Sequence, residues 1–177
     1  MSPVVDPASW RIRQAALPDT PALALVGAAT FLETFAGILD GPAIVAHCAS
    51  QHSEESYRTL FAKTAQVWLA DAEPGQAAIG YALVAPPELD AARDGDIELK
   101  RIYALSRFHG SGVGAALLAA ALAACSGHAR MLLGVYAHNA RAIAFYRKQG
   151  FSPIATRQFN VGGKQYDDLV LARPLTN

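Results

Sequence analysis

The chain has 177 residues, 52% of them apolar and 17% charged. That length suits a single domain over 1–177 with a substantial core, and the composition excludes a disordered chain. Fifteen basic and fifteen acidic side chains cancel, which argues against a nucleic-acid partner. No apolar run reaches the ~18 residues of a membrane span. Met1 to Trp10 lacks the basic-then-apolar pattern of a secretory signal, so a cytoplasmic location is expected, with no membrane partner. Cys48 and Cys125 are far apart and read as reduced core residues. The histidines share no ligand spacing with cysteine or acid, so no metal is expected.

In chain order, Trp10 to Ala15 alternates and reads as a strand. Asp19 or Thr20 can cap a helix that runs through Phe35, after which Gly37, Gly41 and Pro42 break the pattern. Ser53, followed by Glu54 and Glu55, marks a second helix start. Val67 to Ala70 and Ala77 to Val84 form a hairpin about the turn Asp71 to Gly75, and Pro86 to Gly95 is a polar loop. Asp96 to Leu105 is a longer strand, Gly112 to Cys125 an alanine-rich helix, and Met131 to Tyr136 an apolar strand. Asn139 caps a helix that Gly150 stops. Phe151 to Asn160 and Lys164 to Leu171 flank the turn Val161-Gly162-Gly163. This order predicts an α/β chain with a mixed sheet and helices on both faces. Lys164 to Leu171 reads as an exposed edge that could pair with a second copy in a homodimer.

The zero net charge hides a division. Thirteen carboxylates face five Lys or Arg before Leu99. From Leu99 through Tyr166 there is no Asp or Glu, and nine residues are basic. Within that stretch His109-Gly110-Ser111-Gly112-Val113-Gly114-Ala115 follows a strand and opens a helix. Free N–H groups and the positive end of a helix dipole suit a phosphate or pyrophosphate there. A polyanionic ligand held by the second half, with another substrate facing the first, fits this pattern. Gly110 to Ala115 also satisfies a dinucleotide fingerprint formally, which keeps an NAD(P)-binding module open. The acid that such a site places about 20 residues later on the ribose is missing.

A second block runs from Leu133 to Phe151. Asn139, Ala142, Tyr146, Gly150 and Phe151 match the pattern Asn-x-x-Ala-x-x-x-Tyr-x-x-x-Gly-Phe. Read with the glycine turn, the chain resembles the GNAT superfamily of acetyl-CoA-dependent N-acetyltransferases. The match covers Glu98 to Phe151, and His109 stands where that family usually has Gln or Arg. The resemblance implies a mostly antiparallel mixed sheet in which Ile97–Leu105 splays from Met131–Val135, with the pantetheine arm in the gap. It implies that backbone groups of Ile102, Tyr103 and Ala104 pair with the arm, and that the Ile102 N–H polarises the acetyl carbonyl. His109, Gly110, Ser111, Gly112, Val113, Gly114 and Ala115 would hold the pyrophosphate, and Asn139 would contact the coenzyme. Tyr146 would protonate the departing thiolate.

Glu98 lies four residues before Ile102, which on an alternating strand puts both on one face. This matches the general base of some family members; the acid that others carry on the next strand is Gly134 here. Thr30 to Phe35 looks similar to the entrance helix of bacterial polyamine acetyltransferases. Phe31, Glu33 and Phe35 are then candidates for binding a polyamine or another small cationic amine. A non-catalytic acyl-CoA sensor on the same fold is the alternative.

Overall fold

The computed structural model describes residues 9–175; residues 1–8, on which the signal-peptide reading falls, and 176–177 lie outside it. Seven strands form one sheet: β1 (Trp10–Gln14), β2 (Gln66–Ala72), β3 (Ala77–Ala85), β4 (Asp96–Ala104), β5 (Arg130–Tyr136), β6 (Ser152–Val161) and β7 (Lys164–Pro174). Their order is β1-β2-β3-β4-β5-β7-β6. Only β4 and β5 pair in parallel; every other neighbouring pair is antiparallel. Five helices cover the sheet: α1 (Thr20–Phe35), α2 (Gly41–Gln51), α3 (Glu54–Ala62), α4 (Val113–Ala124) and α5 (Ala140–Lys148). Among the described residues none is long and apolar enough to cross a membrane.

Strand alternation divides the core. Trp68, Ala82, Val84, Ile97, Leu99, Met131, Leu133 and Leu171 pack beneath α4 and α5. Val67, Leu69, Tyr81 and Leu83 point the other way, against Leu23 and Val26 of α1 and Tyr57 of α3. Helix α4 buries Val113, Leu117, Leu118 and Ala121, and its alanines let it lie close to the strands.

Two sequence expectations are corrected here. The segment read as broken after Phe35 contains α2, which starts at Gly41 with Pro42 in its first turn. Proline is a start signal there, because its missing N–H would have had no helical partner. The strand taken for an exposed edge, β7, is interior, paired with β5 on one side and β6 on the other. The edge beyond it is β6, which rules out the proposed self-pairing through Lys164 to Leu171.

An ion pair fastens the closed end of the parallel pair. Asp96 and Arg130 are register partners. The Asp96 carboxylate accepts from Arg130 Nη2 at 2.6 Å, from Arg130 Nε at 3.0 Å and from the Arg93 N–H at 2.8 Å. The Arg130 bonds hold the Asp96 carboxyl below the usual carboxylate range. A lowered folded pKa gives stability that is complete above the unfolded value, near 3.9, and is lost as pH falls through the lower folded one. Asp96→Ala is expected to cost about 3 kcal/mol, since it strands a partly buried guanidinium, and to flatten the acid limb of stability against pH. Urea melts between pH 3 and 7 read both effects.

Candidate active site

Pairing between β4 and β5 stops early. It joins Asp96, Ile97 and Glu98 to Arg130, Met131 and Leu132, and no pair follows. From Leu99 onward the two strands part, leaving a wedge between the ends of β4 and β5. A cleft of about 400 Å³ opens at its mouth, lined by Glu33, Phe35, Ala104, His109, Tyr136 and Asn139 among others.

The backbone of β4 at the wedge is directional. The Leu105 N–H donates to Ile79 O at 2.8 Å, and the Tyr103 carbonyl lies 2.8 Å from where a Cβ on Gly80 would stand. Both therefore face β3. Peptide groups alternate along a strand, so those of Ile102 and Ala104 face the wedge, and the Ala104 carbonyl meets His109 Nε2 at 2.9 Å. The peptide group of Ile102 and the N–H of Ala104 thus face the wedge, while the Ala104 carbonyl is taken by His109. Tyr103 presents no free backbone there, because β3 occupies its peptide group.

A bulge changes the expected side-chain faces. Leu83 pairs with Arg101 and Val84 with Leu99, which leaves Lys100 without a partner. The extra residue reverses the alternation. Glu98 stands opposite Ala85 on the α1–α3 face, whereas Ile102 stands opposite Ala82 on the α4–α5 face. The expectation that Glu98 and Ile102 share a face is corrected accordingly. Glu98 Oε2 accepts from the Glu88 N–H at 2.8 Å and from Lys100 Nζ at 3.3 Å.

At the wedge's outer end the chain makes a short 3-10 turn, Ser106–Phe108, and then the glycine loop. Gly110 and Gly112 have φ of +82° and +87°, values that side chains disfavour. The first bond into α4 is Ala116 N–H to Gly112 O. The N–H groups of Val113, Gly114 and Ala115 therefore have no helical acceptor and stand at the positive end of α4. The Ser111 hydroxyl is turned inward to Phe108 O at 2.7 Å. Arg141 Nη2 lies 3.3 Å from His109 Nε2, which adds a cation beside the loop. These donors, with no carboxylate among residues 99 to 166, fit a pyrophosphate.

The other expected residues fall into two groups. Tyr146 reaches the core beneath the wedge, near Phe145 and Phe151. Its hydroxyl bonds no other described residue. Burial, with a smaller contribution from Tyr103, pushes its pKa well above the ordinary phenol value, so it stays protonated. Asn139 caps α5, its Oδ1 accepting from the Ala142 N–H at 3.1 Å, which places the α5 N-terminus on the cleft. Phe35 lines the cleft. Glu33 lines it too, but its carboxylate is bound to the Ser106 N–H and Oγ at 2.8 and 2.9 Å. Phe31 lies beneath the surface, stacked on His47 at 4.0 Å between ring centroids.

Sequence reading missed Asp168 on β7 and Arg157 on β6. Both lie outside either motif, and the strand order β5-β7-β6 sets them beside Tyr136 and Gly134 of β5. Among the described residues no group of three or more His, Cys, Asp or Glu is placed to hold a metal ion.

A mixed sheet whose one parallel pair splays beside a glycine-opened helix defines an acetyltransferase fold. The pattern of the acetyltransferase (GNAT) family matches residues 34–151, and the chain belongs to that family. It is 39% identical over 99 residues to an uncharacterised N-acetyltransferase of Mycobacterium tuberculosis, a stretch covering 55% of this chain and 60% of the relative. The match thus spans less than two thirds of that relative's length. Among solved structures, the fold is similar to that of the PaiA N-acetyltransferase of Thermoplasma acidophilum in complex with coenzyme A. That likeness has a TM-score of 0.77 at 21% identity, over 94% of this chain and 99% of the other. It is also similar to Salmonella typhimurium yncA, determined with its cofactor acetyl-CoA, at a TM-score of 0.69 and 20% identity, over 96% of this chain and 95% of that one.

Proposed function

We propose that this chain transfers the acetyl group of acetyl-CoA to a primary amine by direct attack. The observation that carries this reading is the wedge itself. The Ile102 peptide group and the Ala104 N–H face it, the unpaired amides of Val113 to Ala115 start the helix beside it, and Tyr146 packs in the core beneath it. The donor supplies a thioester. The amides of the glycine loop hold its pyrophosphate, and the Ile102 N–H stabilises the developing oxyanion at the carbonyl. Tyr146 gives its proton to the sulfur as the C–S bond breaks.

In this reading Glu98, which pairs with Leu132 where β4 and β5 last touch and whose Oε2 accepts from the Glu88 N–H and Lys100 Nζ, holds the apex of the wedge and does not take the amine's proton. Glu98→Gln is expected to lower kcat/KM by well under the ~100-fold that loss of a general base costs at the least. The acceptor is a primary amine. Of the residues that would favour a polyamine or another small cationic amine, Glu33 and Phe35 line the cleft, with the Glu33 carboxylate held by Ser106, and Phe31 is buried. Thiol release from acetyl-CoA across polyamines, amino acids, aminoglycosides and N-terminal peptides tests the reading. Tight coenzyme binding with no amine-stimulated release would favour the sensor instead.

A further inference from the structure

Building on the transfer reading, we infer that Asp168 is the carboxylate that receives the acceptor amine and takes its proton. Asp168 pairs across the sheet with Tyr136, four residues beyond Leu132, where β4 and β5 last touch. On β7, Leu169 and Leu171 pack toward α4 and α5, while Val170 and Ala172 pack with Leu132 on the opposite face. Alternation puts Asp168 with the latter, on the sheet face opposite α4 and α5 and beside the wedge-lining Tyr136.

It lacks the short bond that the two carboxylates buried to the same degree each have. Asp96, Glu98 and Asp168 are each 6% exposed. Asp96 has short bonds to both oxygens from Arg130 and a backbone donor as well. Glu98 has a backbone N–H at 2.8 Å and a lysine at 3.3 Å, both on Oε2. Asp168 has only Arg157, whose Nε and Nη2 both lie 3.2 Å from the same oxygen, Oδ2. That is long for a charge-assisted bond, which usually measures ~2.7–2.9 Å. Oδ1 bonds to no described residue. Oδ1 is therefore open to a donor, and an ammonium supplies the short charge-assisted bond that Arg157 does not.

Arg157 reaches this position through Gly134. A Cβ there would stand 2.7 Å from Arg157 Nη2, so the absence of a side chain on β5 admits the guanidinium that orients Asp168. The other groups facing Asp168 are Tyr103 from β4, whose ionisation its charge opposes, Tyr136 from β5, and Asp167 beside it. Burial raises the Asp168 carboxyl above its ordinary value against the opposing effect of Arg157, which makes it a better proton acceptor than a surface aspartate.

The step balances as follows. Asp168 removes one proton from the incoming ammonium, and the freed nitrogen pair forms the C–N bond as the C–S bond breaks. Tyr146 protonates the sulfur. The second proton on the new amide nitrogen returns to the Tyr146 phenolate through solvent, and Asp168 releases its proton to solvent.

The test uses the full chain and the best primary amine from the acceptor panel. Asp168→Asn is expected to lose about 100-fold or more in kcat/KM for the amine, to keep its affinity for coenzyme A, and to lose the acid limb of the pH profile. Retention of rate within threefold of wild type, with the profile unchanged, would overturn the inference. Arg157→Met provides a second reading should Asp168→Asn fail to fold. Removing the cation raises the Asp168 pKa further, so the acid limb moves to higher pH; an unmoved limb would overturn the inference. A wild-type protein that transfers to no amine would overturn the transfer reading, and this inference with it.

Discussion

Tyr146→Phe is expected to lower kcat by about 100- to 1000-fold, the range in which loss of a general acid falls, with coenzyme affinity and thermal stability unchanged. The stability expectation follows from the structure: the Tyr146 hydroxyl bonds no other described residue, so its removal leaves no donor or acceptor unpaired. The rate expectation follows from its position. The ring packs near Phe145 and Phe151 at centroid distances of 5.4 and 5.8 Å, so the polar tip is the part of the side chain left for chemistry. Because burial keeps the phenol protonated, wild-type activity should not fall on the alkaline side through titration of this group below about pH 10. Single-turnover thiol release, with coenzyme A binding measured separately, distinguishes lost chemistry from lost binding.

Gly112→Val is expected to weaken coenzyme A binding by about 100-fold. Gly112 has φ of +87°, and a Cβ there would meet nothing closer than Trp10 Cζ2 at 3.9 Å. The penalty is therefore conformational. A β-branched residue pulls the loop out of the left-handed region, and the amides at the start of α4 turn away from the phosphates. Losing two charge-assisted hydrogen bonds at about 1.5 kcal/mol each corresponds to roughly that factor. Calorimetric titration with coenzyme A measures it. Gly163, with φ of +80° in the β6–β7 turn, is the matched control: Gly163→Val strains the turn without touching the coenzyme loop.

What could be read from the sequence followed from local chemistry. The glycine loop that opens α4, the Asn139 cap of α5 and the place of Tyr146 on α5 are each set by residues within one turn of themselves. The expectations that failed depended on pairing. The face of Glu98 was inferred by counting residues, and the bulge at Lys100 reverses that count. Whether β7 is an edge depends on where β6 lies, and no feature of Lys164 to Leu171 specifies it. Phe31 and Phe35 are both aromatic near the end of α1, yet α2 and Val161 of β6 cover only Phe31 fully. Asp168 and Arg157 had no motif to announce them; Gly134, seen in sequence only as a missing acid, is the space that brings them together.

Amine-dependent release of coenzyme A thiol from acetyl-CoA by the wild-type chain, compared directly with Tyr146→Phe, tests the central claim most directly. Release stimulated by a primary amine and reduced about 100-fold or more in the variant is the result expected of an acetyltransferase that uses this wedge. Equal release by the two proteins, or tight coenzyme binding with no release for any amine, would contradict it.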